Sequence, residues 1–263
     1  FVGCDNLTDI ELIKLKITSP LAFYGCSSIE SITLDVLEVT NASTENSGVF
    51  YNNSTLKNID IKDVRATNSD YLFLGCQNLN TVKIGFTKPK NASKGIFKNC
   101  NFKEVYIYDH TTFIPSQSFY KCEQLMHVSY PANLINIQEK AFFGCSKLID
   151  YNLPDCVETI GESAFEGCES MEYKEFPKNI HTLGVRAFCK VKLPREITLS
   201  DDYNWKSVSI SAFYSYGTPY LEKLFIGKKA AENLSGKEIP YSSSSGYDYR
   251  VPFPYTEFLE GVT

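Results

Sequence analysis

The sequence predicts an α/β repeat solenoid with a parallel β-sheet on one face, and three observations predict it. A phenylalanine recurs at Phe1, Phe23, Phe50, Phe73, Phe97, Phe119, Phe142, Phe165, Phe188 and Phe213, at intervals of 22 to 27 residues. A cysteine stands three residues beyond seven of them, at Cys4, Cys26, Cys76, Cys100, Cys122, Cys145 and Cys168. Downstream of the cysteine an apolar residue precedes an apolar-x-apolar pair, as in Ile29 then Ile32 and Leu34, or Leu79 then Val82 and Ile84. A unit this short cannot bury its own apolar side, so successive units must stack.

Each element of the unit follows from its pattern. The apolar-x-apolar pair has the period of a short half-buried strand. Paired in parallel, equivalent side chains of neighbouring units lie about 4.8 Å apart and form ladders of Phe, Cys and Leu/Ile. Three middle units add a second apolar pair, Leu134 with Ile137, Val157 with Ile160, and Ile180 with Leu183, which is read as a short extended piece. The segment carrying Ala-Phe, as in Ala141-Phe142 and Ala164-Phe165, is read as a compact turn or helical stretch, the α part of the class.

The nine cysteines allow a disulfide framework, a metal site or an inert core. An odd count in a long chain argues against the first. The second wants close pairs, and the nearest cysteines are 11 to 12 residues apart. Free cysteine is a small buried hydrophobe with a weak donor, which suits the tight corner after the strand. Cys156 and Cys189 fall outside the ladder and are assigned only packing.

A formal charge of −5 with both signs scattered gives no reason to expect a nucleic-acid partner. No apolar run reaches the roughly 20 residues of a membrane-spanning helix. His110, His127 and His181 are too dispersed for a metal cluster, and neither a nucleophile motif nor a phosphate loop is present. The expectation is a protein that is not an enzyme and uses no cofactor.

Residues 1–226 are expected to form a solenoid of about ten units. Phe1-Val2-Gly3-Cys4 already reads as the middle of a unit, so the solenoid is expected to be truncated at its N-terminal side. Residues 227–263 lose the period and are expected to cap the last turn, with Ser242 to Gly246 as a flexible loop. The stretch Thr40 to Gly48 is an insertion, either a contact site or a solvated bulge. Six Asn-x-Ser/Thr sequons, at Asn6, Asn41, Asn52, Asn53, Asn91 and Asn233, matter only on a eukaryotic secretory route.

Residues 141 to 188 carry the pattern Ala-Phe-x-Gly-Cys-x-x-Leu-x-x-Ile-x-Leu-Pro-x-x-Val-x-x-Ile-Gly almost in full, with weaker copies from Phe1 to about Ile226. This pattern resembles the BspA-like class of leucine-rich repeats. The resemblance implies a right-handed solenoid with its sheet on the concave face. It implies a cell-surface or secreted location, and adhesion or binding to an extracellular or host protein, or a glycan, rather than catalysis.

Residues flanking the central apolar position of each strand should point outward. Up the stack these are Asp9 and Glu11, Ser31 and Thr33, Asn58 and Asp60, Thr81 and Lys83, Glu104 and Tyr106, His127 and Ser129, and Asp150 and Asn152. Tyr173 and Glu175, Glu196 and Thr198, and Lys223 and Phe225 follow. Ten such rungs make a mildly acidic strip on the order of 45 Å long. Tyr106, Tyr108, His127, Asp150, Asn152 and Tyr173 fall on four successive rungs and are the candidate ligand-binding residues. Exposed tyrosine beside short polar groups offers contact area at low entropic cost, while strands also favour tyrosine for packing alone. Tyr151 and Lys174 stand where the central apolar residue belongs. An inward lysine needs a partner or must lose its charge, so the strand is expected to be displaced there, with Lys174 reaching solvent.

Overall fold

The computed structural model describes residues 1–19, 22–23, 26–40, 48–51, 53–67, 71–87, 94–199, 206–213 and 223–226. Residues 41–47 of the Thr40 to Gly48 insertion and the expected cap at 227–263 lie outside the described residues. Strands are β1 (Asp9–Ile17), β2 (Ser31–Thr40), β3 (Asn58–Thr67), β4 (Thr81–Phe86), β5 (Glu104–Ile107), β6 (Phe113–Ile114) and β7 (His127–Ser129). Then come β8 (Asn136–Ile137), β9 (Thr159–Ile160), β10 (Thr182–Leu183), β11 (Glu196–Leu199), β12 (Ser207–Val208) and β13 (Lys223–Ile226).

Every described pairing is parallel, with equivalent residues of successive turns in register, as in Ile10↔Ile32↔Ile59↔Val82↔Val105↔Val128. The first sheet runs β1-β2-β3-β4-β5-β7 and the second β6-β8-β9-β10-β12, with β11 beside β13. The second member of each further apolar pair, Ile137, Ile160 and Leu183, lies in the second sheet, in strands of two residues each. In β2 and β3 the two pairs fuse into one long strand. Ile32, Leu34, Leu37 and Val39 are all buried, as are Ile61 and Val64, because the pairing skips Asp35 and Lys62 and the buried side resumes one residue out of phase.

The third side of each turn is the Phe corner. All ten marker phenylalanines are described, and consecutive rings stack with centroids 5.0 to 6.4 Å apart. Such pairs each contribute about 0.5–1.5 kcal/mol beyond the area they bury. The ladder cysteines from Cys26 onward donate their thiol to the carbonyl of the preceding rung's phenylalanine, for example Cys122 to Phe97 at 3.0 Å and Cys145 to Phe119 at 3.1 Å. Each carbonyl also accepts the amide three residues on in its own rung, as Phe119 does from Cys122 at 3.1 Å and Phe50 from Asn53 at 3.3 Å. Burial pushes the thiols of Cys100, Cys122, Cys145 and Cys168 well up. At Asn53, which replaces cysteine, the side-chain oxygen accepts the amides of Thr55 and Leu56 instead.

The helical half of the α/β expectation is not met. Among the described residues the one helical element is the 3₁₀ turn Ile210–Phe213, and none is long and apolar enough to cross a membrane. The reason is backbone geometry. Positions two before and two after the marker phenylalanine take positive φ, at Gln117, Lys140, Ser163 and Arg186 on one side and at Lys121, Gly144, Gly167 and Lys190 on the other. A right-handed helix cannot contain such residues. They instead aim the corner amides along the stack, so Gln117, Phe119 and Lys121 donate to Glu139, Ala141 and Phe143 of the next turn at 2.7 to 2.9 Å.

Candidate functional site

Strands β4, β5 and β7 set Lys83, Tyr106 and Ser129 in one outward row and Glu104 and His127 in the neighbouring one. Tyr106 is 41% exposed. Its ring meets Tyr108 edge-on at 5.3 Å, and Tyr108 lies against His110 at 6.1 Å. Tyr108 is anchored: its hydroxyl donates to Asp60 Oδ1 at 2.5 Å, from a residue 48 positions away in sequence. Partial burial, and then that carboxylate, push the Tyr108 phenol up to about 12. Lys83 Nζ approaches the other Asp60 oxygen at 3.9 Å. Gly85 is required beneath this group, since a Cβ there would sit 2.1 Å from the Lys62 carbonyl oxygen and 2.6 Å from the His110 ring.

One rung further the first sheet stops at β7. No strand follows at 150–154, and the Asp150 side chain takes part of its place. Asp150 Oδ2 accepts the Val128 amide at 2.8 Å, a bond that a neighbouring strand's carbonyl would otherwise make, and lies 3.3 Å from His127 Nδ1. The missing strand leaves a hollow of about 410 Å³ lined by His127, Val128, Ser129, Tyr130, Asp150, Asn152 and Pro154. The Tyr130 ring packs edge-on against Phe142, and its hydroxyl is buried with no hydrogen-bond partner among the described residues. Burial pushes that phenol far up.

The structure therefore brings together five of the six candidates, Tyr106 and Tyr108 forming an aromatic shelf and His127, Asp150 and Asn152 the hollow beside it. Tyr173 is not among them. It is buried at 3%, with its ring 4.6 Å from Phe188, whereas its neighbour Lys174 is exposed and lies over Tyr151 at 5.4 Å. Lys174 thus reaches solvent as expected, and the same one-residue displacement turns Tyr173 inward. Asp60, which fixes Tyr108, was legible only as a generic outward residue. A second depression, on the flank between the Phe corner and the first sheet, had no sequence signal assigned to it. Among the described residues no group of three His, Cys, Asp or Glu is placed to hold a metal ion.

A leucine-rich repeat protein from Bacteroides ovatus ATCC 8483 superposes with a TM-score of 0.54 and 22% identity over 80% of this chain, a likeness of fold. The chain spans 62% of that protein's length. The pneumococcal vaccine antigen PcpA aligns at a TM-score of 0.43 and 16% identity, over 87% of this chain and 69% of its own. A leucine rich cell surface protein from Faecalibacterium prausnitzii A2-165 aligns at 0.43 and 18%, over 86% and 73%. No curated protein matches the sequence. The family described as BspA type leucine rich repeat region matches residues 1–93 and 90–218 in six copies. With the repeat period, the parallel register and this family match in agreement, the chain belongs to the BspA type leucine-rich repeat family.

Proposed function

We propose that this chain is a non-catalytic binding module, acting at a cell surface or after secretion, that recognises an extracellular or host protein through its strand face. The observation that carries the reading is the exposed Tyr106, backed by an anchored Tyr108, beside the hollow of His127, Ser129, Asp150 and Asn152. Rigid aromatic area next to short hydrogen-bonding groups is the composition of protein-binding surfaces. Asp60, Glu104 and Asp150 favour a partner with a basic patch. The reading needs no cofactor, no nucleic acid and no membrane insertion by this segment. Family membership supports the location and the binding role.

The test is a screen of the chain against immobilised extracellular-matrix and host-surface proteins, with Tyr106→Ala/His127→Ala as the control. A partner bound by the wild type and weakened about tenfold or more in the control is the expected result. Equal binding by both would move the site off the strand face. No partner at all would favour the alternative, a structural repeat of a larger envelope protein without its own ligand.

A further inference from the structure

We infer that the flank of the solenoid carries a second binding site, separate from the strand face, that takes a neutral glycan chain. The feature is a groove of about 710 Å³ in the turns between the Phe corner and the first sheet, crossing five successive rungs. Its walls come from two columns. One, just before the strands, runs Glu30, Lys57, Asn80, Lys103, and the other, two residues earlier, runs Thr55, Asn78, Asn101, Gln124.

Three properties select the ligand. First, the walls are mostly carboxamides and hydroxyls. A carboxamide presents a donor and an acceptor side by side, which matches two neighbouring hydroxyls of a sugar ring. The second column repeats this group at Asn78, Asn101 and Gln124, about every 4.8 Å along the stack, so the groove offers the same contact to successive units of an extended chain. Second, the side chains are held before any ligand arrives. Asn78 Nδ2 donates to the Ser54 carbonyl at 2.6 Å, Gln77 Nε2 donates to the Asn99 carbonyl at 2.5 Å, and Gln124 Oε1 accepts from Lys147 at 2.5 Å. Fixed polar groups lower the ordering cost of binding.

Third, the groove lacks what a protein partner would use. Its apolar members, Leu79 and Phe102, are 3% and 2% exposed, so no aromatic or aliphatic anchor is on offer. Charge is nearly balanced, because Lys57 is paired with Glu30 at 2.9 Å. A polyanion would find only Lys103 unmatched within the groove, whereas an uncharged polyhydroxylated chain finds donors and acceptors throughout.

The experiment is calorimetric titration of the whole chain with soluble neutral oligosaccharides of glucose, mannose, galactose and xylose, checked on an array of the same sugars. Three proteins are compared: wild type, the groove variant Asn80→Ala/Asn101→Ala, and the strand-face variant Tyr106→Ala/His127→Ala. Asn80→Trp serves as a steric block that removes no hydrogen bond of the fold. The expected result is binding of at least one sugar chain by the wild type. That binding should be weakened about tenfold in the groove variant, abolished by Asn80→Trp and unchanged in the strand-face variant. Absence of binding across the series, or binding that survives both groove substitutions, overturns the inference. Loss in the strand-face variant alone would also overturn it, by assigning the glycan to the other site. Capture of a protein partner that the groove variant loses would do the same.

Discussion

The N-terminal turns and the middle turns bury the same two apolar pairs by different means. In β2 and β3 a single strand of ten residues carries both pairs past a slip in alternation, and nine residues of β2 are in register with β3. In the turns from Glu104 to Leu183 the pairs separate into a strand of three or four residues, lost altogether after Ser129, and a strand of two. The middle stays stacked because the Phe corner supplies three amide-to-carbonyl bonds per turn, as Lys140, Phe142 and Gly144 do toward Glu162, Ala164 and Glu166. Rung-to-rung cohesion therefore does not depend on strand length. It depends on how many amides point along the stack, whichever side they come from.

The largest effect expected from this comparison is at the corner of the middle turns. Phe142 is fully buried between Phe119 and Phe165, so Phe142→Ala should cost about 3–5 kcal/mol in denaturant unfolding. A loss below about 1 kcal/mol would break the claim that the corner holds this region, and Phe1→Ala, at 70% exposure, sets the scale of an uncommitted ring.

An intermediate effect is expected where the second sheet approaches the turn before it. A Cβ on Gly184 would lie 2.4 Å from the Glu162 amide nitrogen. Gly184→Ala should then cost about 1–3 kcal/mol and lower hydrogen-exchange protection at Gly184 and Ser209, which bond Ile160 and Leu183. Unchanged protection there would mean that the two-residue strands contribute little.

The smallest effect is a gain. Lys121 holds φ 55° at a place where the equivalent turns have Gly144 and Gly167. Lys121→Gly should raise stability by about 0.5–1 kcal/mol in the same assay, the relief of left-handed strain less the entropy of a glycine. A loss would show that the lysine stem over Tyr120, 5.8 Å from ring centroid to Nζ, outweighs the strain.

What the sequence made legible is what period two and the repeat made redundant. The outward pairs from Asp9 to Ser129 all stand in the expected rows, because one buried face fixes register. The fused strands were obscured, since Leu34 to Leu37 is a phase slip that alternation cannot express. Tyr173 was misplaced for a related reason: where no strand forms, strand parity assigns the wrong face. The corner turns looked helical because their left-handed residues include Gln117, Lys140, Ser163 and Arg186, side chains that carry no signal for positive φ. Of the site, the aromatic shelf and the hollow came from outward positions, while the flank groove is made of turn residues whose alignment appears only when the rungs are stacked.

Asp150 has a consequence for self-association. A strand edge with free amides is a template on which identical chains can add into fibres. At the end of the first sheet, a carboxylate already occupies the Val128 amide. A foreign strand arriving there would have to displace an acceptor already hydrogen-bonded to that amide and set its own carbonyl against the carboxylate. One acidic side chain thus guards the molecule against polymerising through the edge beside which its ligand is proposed to sit.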